Sequence, residues 1–432
     1  GKTTVFKAQL RILPSVAFIS AFLNNTPVVV IFAPIIKHWA KSVKLPATKF
    51  LIPLSYVTIL GGICTLIGTS TNLVVHGMIL EAGYEGFTMF ELGKVGIFIA
   101  IAGIIYLFIF SKRLLPDARP DTAVPDEEVE EGEKLHRVEA VLGARFPGIN
   151  KKLKDFNFQR HYGAEVKEIK TRNGQRFVSN LEEVVLHEGD TLVVMADDTF
   201  IPTWGESSVF VLLTNGNEPD TTGKKKKRWF ALLLLVLMIV GATVGELPIT
   251  KEMFPDIKLD MFFFVSITTI IMAWTNLFPA RKYTKYISWD ILITIACAFA
   301  ISKAMVNSGV ADSVAKFIIG LSDDYGPHVL LAMVFIITNL FTELITNNAA
   351  AALAFPLALS ISAQLGVSPT PFFVVICMAA SASFSTPIGY QTNLIVQGIG
   401  NYKFTDFVRI GLPLNIITFL ISIILIPLIW NF

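Results

Sequence analysis

A run of amide and small side chains, Thr346-Asn347-Asn348-Ala349-Ala350, interrupts long hydrophobic sequence ahead of Pro356. A second version, Asn24-Asn25-Thr26-Pro27, stands at the same distance before Pro34. Polar turns recur at the same offset, within a residue or two: Gly68-Thr69-Ser70-Thr71-Asn72 and Gly389-Tyr390-Gln391-Thr392-Asn393. Two motifs that recur together at one spacing indicate an internal repeat.

The composition is that of a membrane protein. Hydrophobic residues make up 53% of the 432 residues and charged residues only 16%, and the mean hydropathy is +0.59. Apolar runs of about 18–25 residues are long enough to cross a bilayer. Charge is concentrated between residues 112 and 228, which predicts a neutral membrane part and a charged soluble insert. The basic residues form no surface interleaved with aromatic residues, so nucleic acid is not an expected partner.

The amide clusters are expected to be tips of re-entrant hairpins. In residues 8–40 each apolar arm is too short to cross a bilayer alone. A break rich in Asn, Thr and Pro frees backbone groups, which a membrane tolerates only where they line a cavity or a site. An ordinary surface loop between two short helices is the alternative. Further spans are predicted at residues 49–67 with a half-helix at 73–80, and at 95–110, 229–247, 261–278, 289–306 and 408–429.

Five segments follow from these patterns. They are a first transport repeat (1–116), an acidic linker (117–134), a small α/β domain (135–217), a basic linker (218–228) and a second transport repeat (229–432). Before its amide cluster the second copy has several spans and the first copy about two dozen residues, so we expect the first copy to lack its N-terminal spans. Basic residues at both membrane boundaries of the insert, Lys112-Arg113 and 224–228, predict that 117–228 is cytoplasmic.

The small domain has a resemblance of its own. Residues 135–217 resemble the TrkA C-terminal domain of potassium-conductance regulators in Phe158-Gln159-Arg160-His161-Tyr162-Gly163, the following strand pair and Gly189-Asp190-Thr191-Leu192. The resemblance implies a domain that binds a small regulatory ligand or dimerises. A folded insert with only a packing role is the alternative.

Helices broken near the membrane midplane offer unpaired amides at one end and unpaired carbonyls at the other. Neutral donors at helix N-termini suit an oxyanion, and carbonyl and hydroxyl oxygens suit Na⁺. An odd number of spans in each copy makes the copies antiparallel, which is the inverted-repeat plan of secondary transporters. For any single Asn or Thr, helix capping or packing is the alternative role.

Residues 381–396, Ser-Ala-Ser-Phe-Ser-Thr-Pro-Ile-Gly-Tyr-Gln-Thr-Asn-Leu-Ile-Val, match the signature of the divalent anion/sodium symporter family. The resemblance covers nearly all of the chain outside 117–228. It implies an α-helical polytopic protein with inverted repeats, two helical hairpins and broken helices, working as a dimeric elevator-type transporter in the plasma membrane, the inner membrane in bacteria. Family tips read Ser-Asn-Thr, and this chain departs from that pattern at Asn24 and Asn348, which leaves the identity of the substrate open.

The same resemblance assigns the site residues. The anion would be bound by Asn25, Thr26, Asn347, Asn348 and Thr392. The coupling ion Na⁺ would be bound by Asn24, Gly68, Ser70, Asn72, Thr346, Thr386, Gly389 and Asn393. Glu343, one helical turn before Asn347, would assist a cation site, support other ligands or lie at the interface, and the sequence favours none of these.

The leading hypothesis is Na⁺-coupled uptake of a small divalent oxyanion, sulfate before dicarboxylate. A cation/proton antiporter or arsenite-type efflux permease would carry intramembrane Asp, but Asp290 and Asp312 lie near span ends. A ligand-gated channel or sensor would need a selectivity loop such as Thr-Val-Gly-Tyr-Gly, which the sequence lacks. The sequence contains no motif for a catalytic triad, a metal cluster or a phosphate loop, so an enzyme is not expected.

Overall fold

The computed structural model describes residues 4–117, 135–143, 145–171, 175–197, 199–204, 209–214, 225–245, 247–253, 259–277, 289–320 and 326–432. The predicted acidic linker beyond Asp117, the turn Arg172-Asn173-Gly174 and the predicted basic linker up to residue 224 lie outside these ranges.

Helices dominate the described residues. The N-terminal group is α1 (Val5–Ser20), α2 (Asn25–Ser42), α3 (Leu51–Gly62), α4 (Ser70–Glu81) and α5 (Gly93–Leu114). The insert contains β1 (His136–Leu142), α6 (Phe158–Tyr162), β2 (Glu165–Lys170), β3 (Arg176–Phe177), β4 (Thr191–Ala196), α7 (Phe200–Trp204) and β5 (Phe210–Thr214). The C-terminal group is α8 (Lys225–Gly245), α9 (Pro248–Met253), α10 (Met261–Trp274), α11 (Trp289–Asn307), α12 (Val310–Gly320), α13 (Gly326–Leu344), α14 (Asn347–Leu365), α15 (Thr370–Ser381), α16 (Gln391–Gly400) and α17 (Phe404–Ile429).

Several helices meet the requirements of a membrane span. Among the described residues, α5, α13, α14 and α17 are long and apolar enough to cross a bilayer, and the pair α11 and α12, bent by 71°, would give a fifth span. Both arms of the second hairpin, α13 and α14, therefore have spanning length, unlike the 16-residue α1. The expected polytopic helical class with a small α/β insert is confirmed.

The five helices α1–α5 recur in order as α13–α17, and the two copies run in opposite directions. Tyr402, just after α16, donates to the carbonyl of Thr48, just before α3, so the end of α16 lies beside the start of α3. At the opposite side the rings of Tyr84, after α4, and Phe373, in α15, are 5.8 Å apart. The inverted repeat predicted from the two motifs is present.

Each motif begins in a break or at a tip and continues into the first turn of the following helix. The predicted span 49–67 ends as a helix at Gly62, and the helix predicted from residue 73 begins at Ser70. The second amide cluster likewise opens α14, because Thr346 is the N-cap and its hydroxyl accepts from the amide of Ala349. Thr is a favoured N-cap residue, so these polar residues initiate helices as well as interrupting them.

The insert forms one five-stranded antiparallel sheet of order β3-β2-β4-β1-β5. One face of the sheet carries a separate aromatic core that belongs to the insert. On the other face, Val141 and Leu212 join the hydrophobic core of the membrane part. Gly189 lies against Leu394 of α16, and Glu139 forms an ion pair with Lys37 of α2 at 3.1 Å. The sheet is therefore attached to one helix from each repeat.

Glu139 is a half-buried ion-pair partner between the sheet and α2. Burial alone would raise its pKa, but Lys37, Lys170 and Arg137 together lower the pKa to about 2 from the ordinary 4.5. Lys170 Nζ lies 3.4 Å from the carboxylate and is 5% exposed, so it depends on this partner. A carboxylate whose pKa is lowered on folding stabilises the folded state above its ordinary pKa.

We predict that Glu139→Gln weakens the attachment of the insert by about 1–3 kcal/mol, because it leaves two lysines without their anionic partner. The same stabilisation should be complete at neutral pH and lost in the wild type as the pH falls from about 4.5 to about 2. Hydrogen exchange of β1 and of the end of α2 measures it. Glu165→Gln is the control, since its pair with Lys167 is more than half exposed. Equal exchange in both variants would contradict the prediction.

Candidate functional site

Four helix N-termini meet in the interior of the membrane part. Their N-cap residues are Asn24 for α2, Thr69 for α4, Thr346 for α14 and Tyr390 for α16. The first amides of a helix lack intrahelical partners, and each N-terminus carries roughly half a positive charge. The convergence therefore creates a positive region built without Lys or Arg.

The four N-termini are tied together crosswise between the repeats. At the first tip, Thr26 donates to Gln391 Oε1 at 3.2 Å. At the second tip, Ser70 donates to Asn348 Oδ1 at 3.2 Å. Thr26 and Asn348 occupy equivalent positions of the two repeats, as do Ser70 and Gln391. The two bonds are thus related by the pseudo-two-fold symmetry of the repeat.

The hydroxyl of Tyr390 lies at the centre of this arrangement. It is 2.6 Å from the amide of Asn25 and 2.8 Å from Thr69 Oγ1, and the side chain of Asn347 lies beside it. Tyr390 is only 6% exposed. One oxygen atom therefore joins both tips and both helix breaks.

Tyr390 was missed by the sequence analysis as a site residue. The signal that could have found it is the repeat itself, because Tyr390 aligns with Thr69 at the offset that relates Gly68 to Gly389. An aromatic residue in a turn of otherwise small and polar residues needs a partner for its hydroxyl when it is buried.

Asn25 is held entirely by the protein. With its amide oxygen accepting from Tyr390, its nitrogen donates to Ser20 Oγ at 2.9 Å and to the carbonyl oxygens of Thr58 at 3.0 Å and Gly68 at 3.3 Å. Its side chain is 1% exposed. Asn25 therefore fixes the first tip against the first helix break, and its role as an anion ligand stays a prediction.

Two equivalent asparagines hold the helix breaks. Asn393 Nδ2 donates to the carbonyls of Ser383 at 2.8 Å and Thr386 at 3.1 Å, and Asn72 Nδ2 donates to that of Thr65 at 2.9 Å. Each amide thereby closes the loop that precedes its own helix. This role explains why an Asn stands at both positions.

The two asparagines differ in their oxygen atoms. Ser55 of α3 donates to Asn393 Oδ1 at 2.7 Å. Asn72 Oδ1 is buried and has no hydrogen-bond partner within the described residues. A buried acceptor that no donor reaches costs free energy unless a ligand satisfies it. The first break therefore offers an oxygen atom to a hard cation.

The other predicted residues are placed as follows. Ser55 lies 2.9 Å from Thr392 Oγ1, so the fully buried Thr392 faces α3. Thr386 donates to the carbonyl of Glu343 at 3.0 Å. Asn24 and Thr346 are exposed at the tips. Gly68 and Gly389 lie in the two breaks beside Asn72 and Asn393. The structure brings these residues to the same region, and their ligand roles stay predictions.

Glu343 supports the second break. Its Oε1 accepts from the amide of Ser385 at 2.9 Å and from Asn415 Nδ2 at 2.7 Å. Asn415 also donates to Ser385 Oγ at 2.9 Å. Of the three roles that the sequence left open, these contacts favour support of the loop that leads to Tyr390.

Comparison with known proteins identifies the family. The model of a family described as citrate transporter matches residues 4–366 and 257–432. The chain belongs to this family. Its predicted resemblance to the divalent anion/sodium symporters is confirmed. This member of the citrate transporter family is a multi-pass membrane protein.

Three relatives show the range of similarity. An uncharacterized transporter of Synechocystis is 30% identical over 95% of this chain and 81% of its own length. Sodium/sulfate cotransporter 2 of Chlamydomonas reinhardtii is 32% identical over 65% of this chain and 31% of its own length. Solute carrier family 13 member 4 of Homo sapiens is 25% identical over 36% of this chain and 24% of its own length. By their names these relatives are transporters or solute carriers.

We predict that Gly389→Ala destabilises the protein by about 2 kcal/mol, because a Cβ would overlap the carbonyl of Thr342 and the hydroxyl of Ser383. Thermal unfolding of the purified protein in detergent measures the loss. Gly320→Ala is the control, since a Cβ there meets no atom within 4 Å. Equal unfolding temperatures for the two variants would show that the second break has room to adjust.

Proposed function

We propose that this transporter is a secondary active transporter that couples the uptake of a small divalent oxyanion to Na⁺, with sulfate as the first candidate and a dicarboxylate as the second. The observation that carries the proposal is the convergence of four helix N-termini on one buried point. Helix N-termini with free amides bind anions without a charged side chain.

The charge balance supports an anionic substrate. The contacts that join the four N-termini come from hydroxyl and amide side chains such as Thr26, Ser70, Asn347 and Asn348. Four N-termini at about half a positive charge each would offset a charge of roughly minus two. The site therefore matches a divalent anion better than a neutral or cationic solute.

The helix breaks support Na⁺ as the coupling ion. The orphaned Asn72 Oδ1 lies in the first break, where oxygen atoms of the loop are also close. Oxygen ligands from amides, hydroxyls and carbonyls are those that hard cations prefer. A cation bound beside the anion offsets the cost of burying either charge, so the anion binds weakly until Na⁺ is present. This dependence is a physical basis for symport.

The names of relatives favour sulfate. Relatives named as sodium/sulfate cotransporters cover 65% of this chain at 30–32% identity. The printed family description names citrate instead, so carboxylates belong in every transport test of the protein. Sulfate is the smallest of these anions and needs the least space between the tips.

We also propose an elevator mechanism, a homodimer and the five segments with the limits given above. The protein would lie in a plasma membrane, which in bacteria is the inner membrane. The inverted repeat with its two helical hairpins supports the mechanism. Basic residues gather at the insert side, where Lys37, Lys49, Lys112 and Arg113 lie, which supports a cytoplasmic insert. The TrkA resemblance and a small regulatory ligand at 135–217 are also proposals, and the attachment of the sheet to α2 and α16 offers a route by which such a ligand would act on transport.

We predict Na⁺-dependent uptake of radiolabelled sulfate by the protein in sealed vesicles. Asn347→Ala should raise the KM for sulfate about 10-fold or more, because a donor to a charged ligand is lost. Asn72→Ala should raise the Na⁺ concentration for half-maximal uptake by a similar factor, while changing the sulfate KM less at saturating Na⁺.

Asn307→Ala, an exposed amide at the end of α11, is the control and should leave both constants unchanged. Strong competition by succinate or citrate would move the substrate to carboxylates. An uptake rate that does not depend on Na⁺ for any divalent anion would contradict the coupling.

The orientation is predicted separately. In a variant whose three native cysteines are replaced by serine, Glu85→Cys on the side opposite the insert should react with a membrane-impermeant thiol reagent in intact cells. Gln159→Cys on α6 should react only after permeabilisation. Both side chains are exposed. Labelling of Gln159→Cys in intact cells would place the insert outside.

A further inference from the structure

The Tyr390 hydroxyl lies where the pseudo-two-fold axis of the site passes. Tyr390 and Thr69 occupy equivalent positions in the two repeats, and their hydroxyl oxygens are 2.8 Å apart. Asn25 and Asn347 are also equivalent; Asn25 hydrogen-bonds this hydroxyl and the side chain of Asn347 lies beside it. Equivalent atoms can touch only near the axis that relates them. An anion bound symmetrically by the four N-termini would lie next to this oxygen.

The two repeats differ in volume at this point. One position has the small Thr69 and the other the large ring of Tyr390, and both are buried. The hydroxyl of Tyr390 contacts Asn25 at the first tip and Thr69 at the first break, so the ring occupies volume beside the tips that a second small residue would leave free. A long substrate has less room there than it would have with two small residues.

Resting on the function proposed above, we propose that Tyr390 determines the substrate class of the site. Without an anion its hydroxyl donates to the Asn25 amide oxygen. With an anion bound, the hydroxyl donates to one oxygen of the anion instead. Its ring excludes extended anions. The site thereby accepts compact tetrahedral dianions such as sulfate and selenate and rejects dicarboxylates and citrate.

The hydrogen-bond geometry supports the donor role. A phenol has one proton, and without an anion Tyr390 donates it to the amide oxygen of Asn25, whose two N–H groups lie within reach of three other acceptors. When the Tyr390 proton turns to an anion, the buried amide oxygen of Asn25 loses its donor, and this costs free energy. The new hydrogen bond goes to a charged acceptor, which makes it the stronger of the two and offsets that cost.

The shape argument separates the two substrate classes. A tetrahedral dianion presents four oxygen atoms around one centre, so it can meet several N-termini from a single compact position. A dicarboxylate places its two charges at the ends of a carbon chain, and both ends can be bound only where the chain fits between them. Since buried donors left unpaired by a poorly fitting substrate cost free energy, the mismatch becomes discrimination.

The test is sulfate uptake into sealed vesicles under a sodium gradient, with selenate, succinate and citrate as competitors. In the wild type, selenate should compete and succinate should not. Tyr390→Phe should raise the sulfate KM about 10- to 100-fold with little change in maximal rate, and should still reject succinate. Tyr390→Ser, which keeps a hydroxyl and removes the ring, should let succinate compete.

Tyr106→Phe is the matched control, because Tyr106 is also buried and its hydroxyl donates only to the carbonyl of Ile410, away from the tips. A sulfate KM that is the same in Tyr390→Phe and Tyr106→Phe would overturn the donor role. Succinate rejected by Tyr390→Ser would overturn the size limit, and so would succinate competing with the wild type as well as selenate does. The wild-type comparison holds even when a variant folds poorly.

These outcomes are distinct from failure of the proposed function. Absence of sodium-dependent sulfate uptake in the wild type would remove the proposed function and the role of Tyr390 together. Sodium-dependent uptake in the wild type with unchanged variants would remove only the role of Tyr390. A purely structural role would lower the maximal rate for every anion and leave the selectivity unchanged.

Discussion

Backbone groups freed inside a membrane must find partners within the protein, and this requirement governs the whole structure. Both helix breaks and both hairpin tips expose such groups away from water. The chain meets the requirement by bringing the four interruptions together, so that each supplies partners to another. Asn72 and Asn393 close their own breaks, and Thr26 and Ser70 reach across to the opposite repeat. The amides at the four N-termini then face one common point.

The two copies are alike in backbone and unlike at a few side chains. Ser55 satisfies the oxygen of Asn393 but no described donor reaches that of Asn72. Tyr390 and Thr69 differ in size at equivalent positions. A perfectly symmetric site would bind any ligand equally in two orientations. These differences make the two ends of the site distinguishable: the unpaired oxygen of Asn72 lies at one break and the aromatic ring of Tyr390 at the other.

The sequence was enough to predict the repeat, the hairpins, the helix breaks and the soluble insert, because these depend on hydropathy and on motif spacing. It misplaced the helix starts, since Ser70 and Gln391, which belong to the polar motifs, are the first residues of helices. It also missed Tyr390. The importance of that residue arises from contacts with residues hundreds of positions away, such as Asn25. No local pattern reports where a phenol hydroxyl reaches in space.

The sheet of the insert is fastened to α2 by Glu139 and Lys37 and to α16 by Gly189 and Leu394. Both helices begin at the tips and breaks and end at the sheet. The insert thus links one helix from each repeat, and a displacement of either helix along the membrane normal would be transmitted to the other through the sheet. The hairpin of the first repeat and the broken helix of the second could move independently only if one of these contacts were broken.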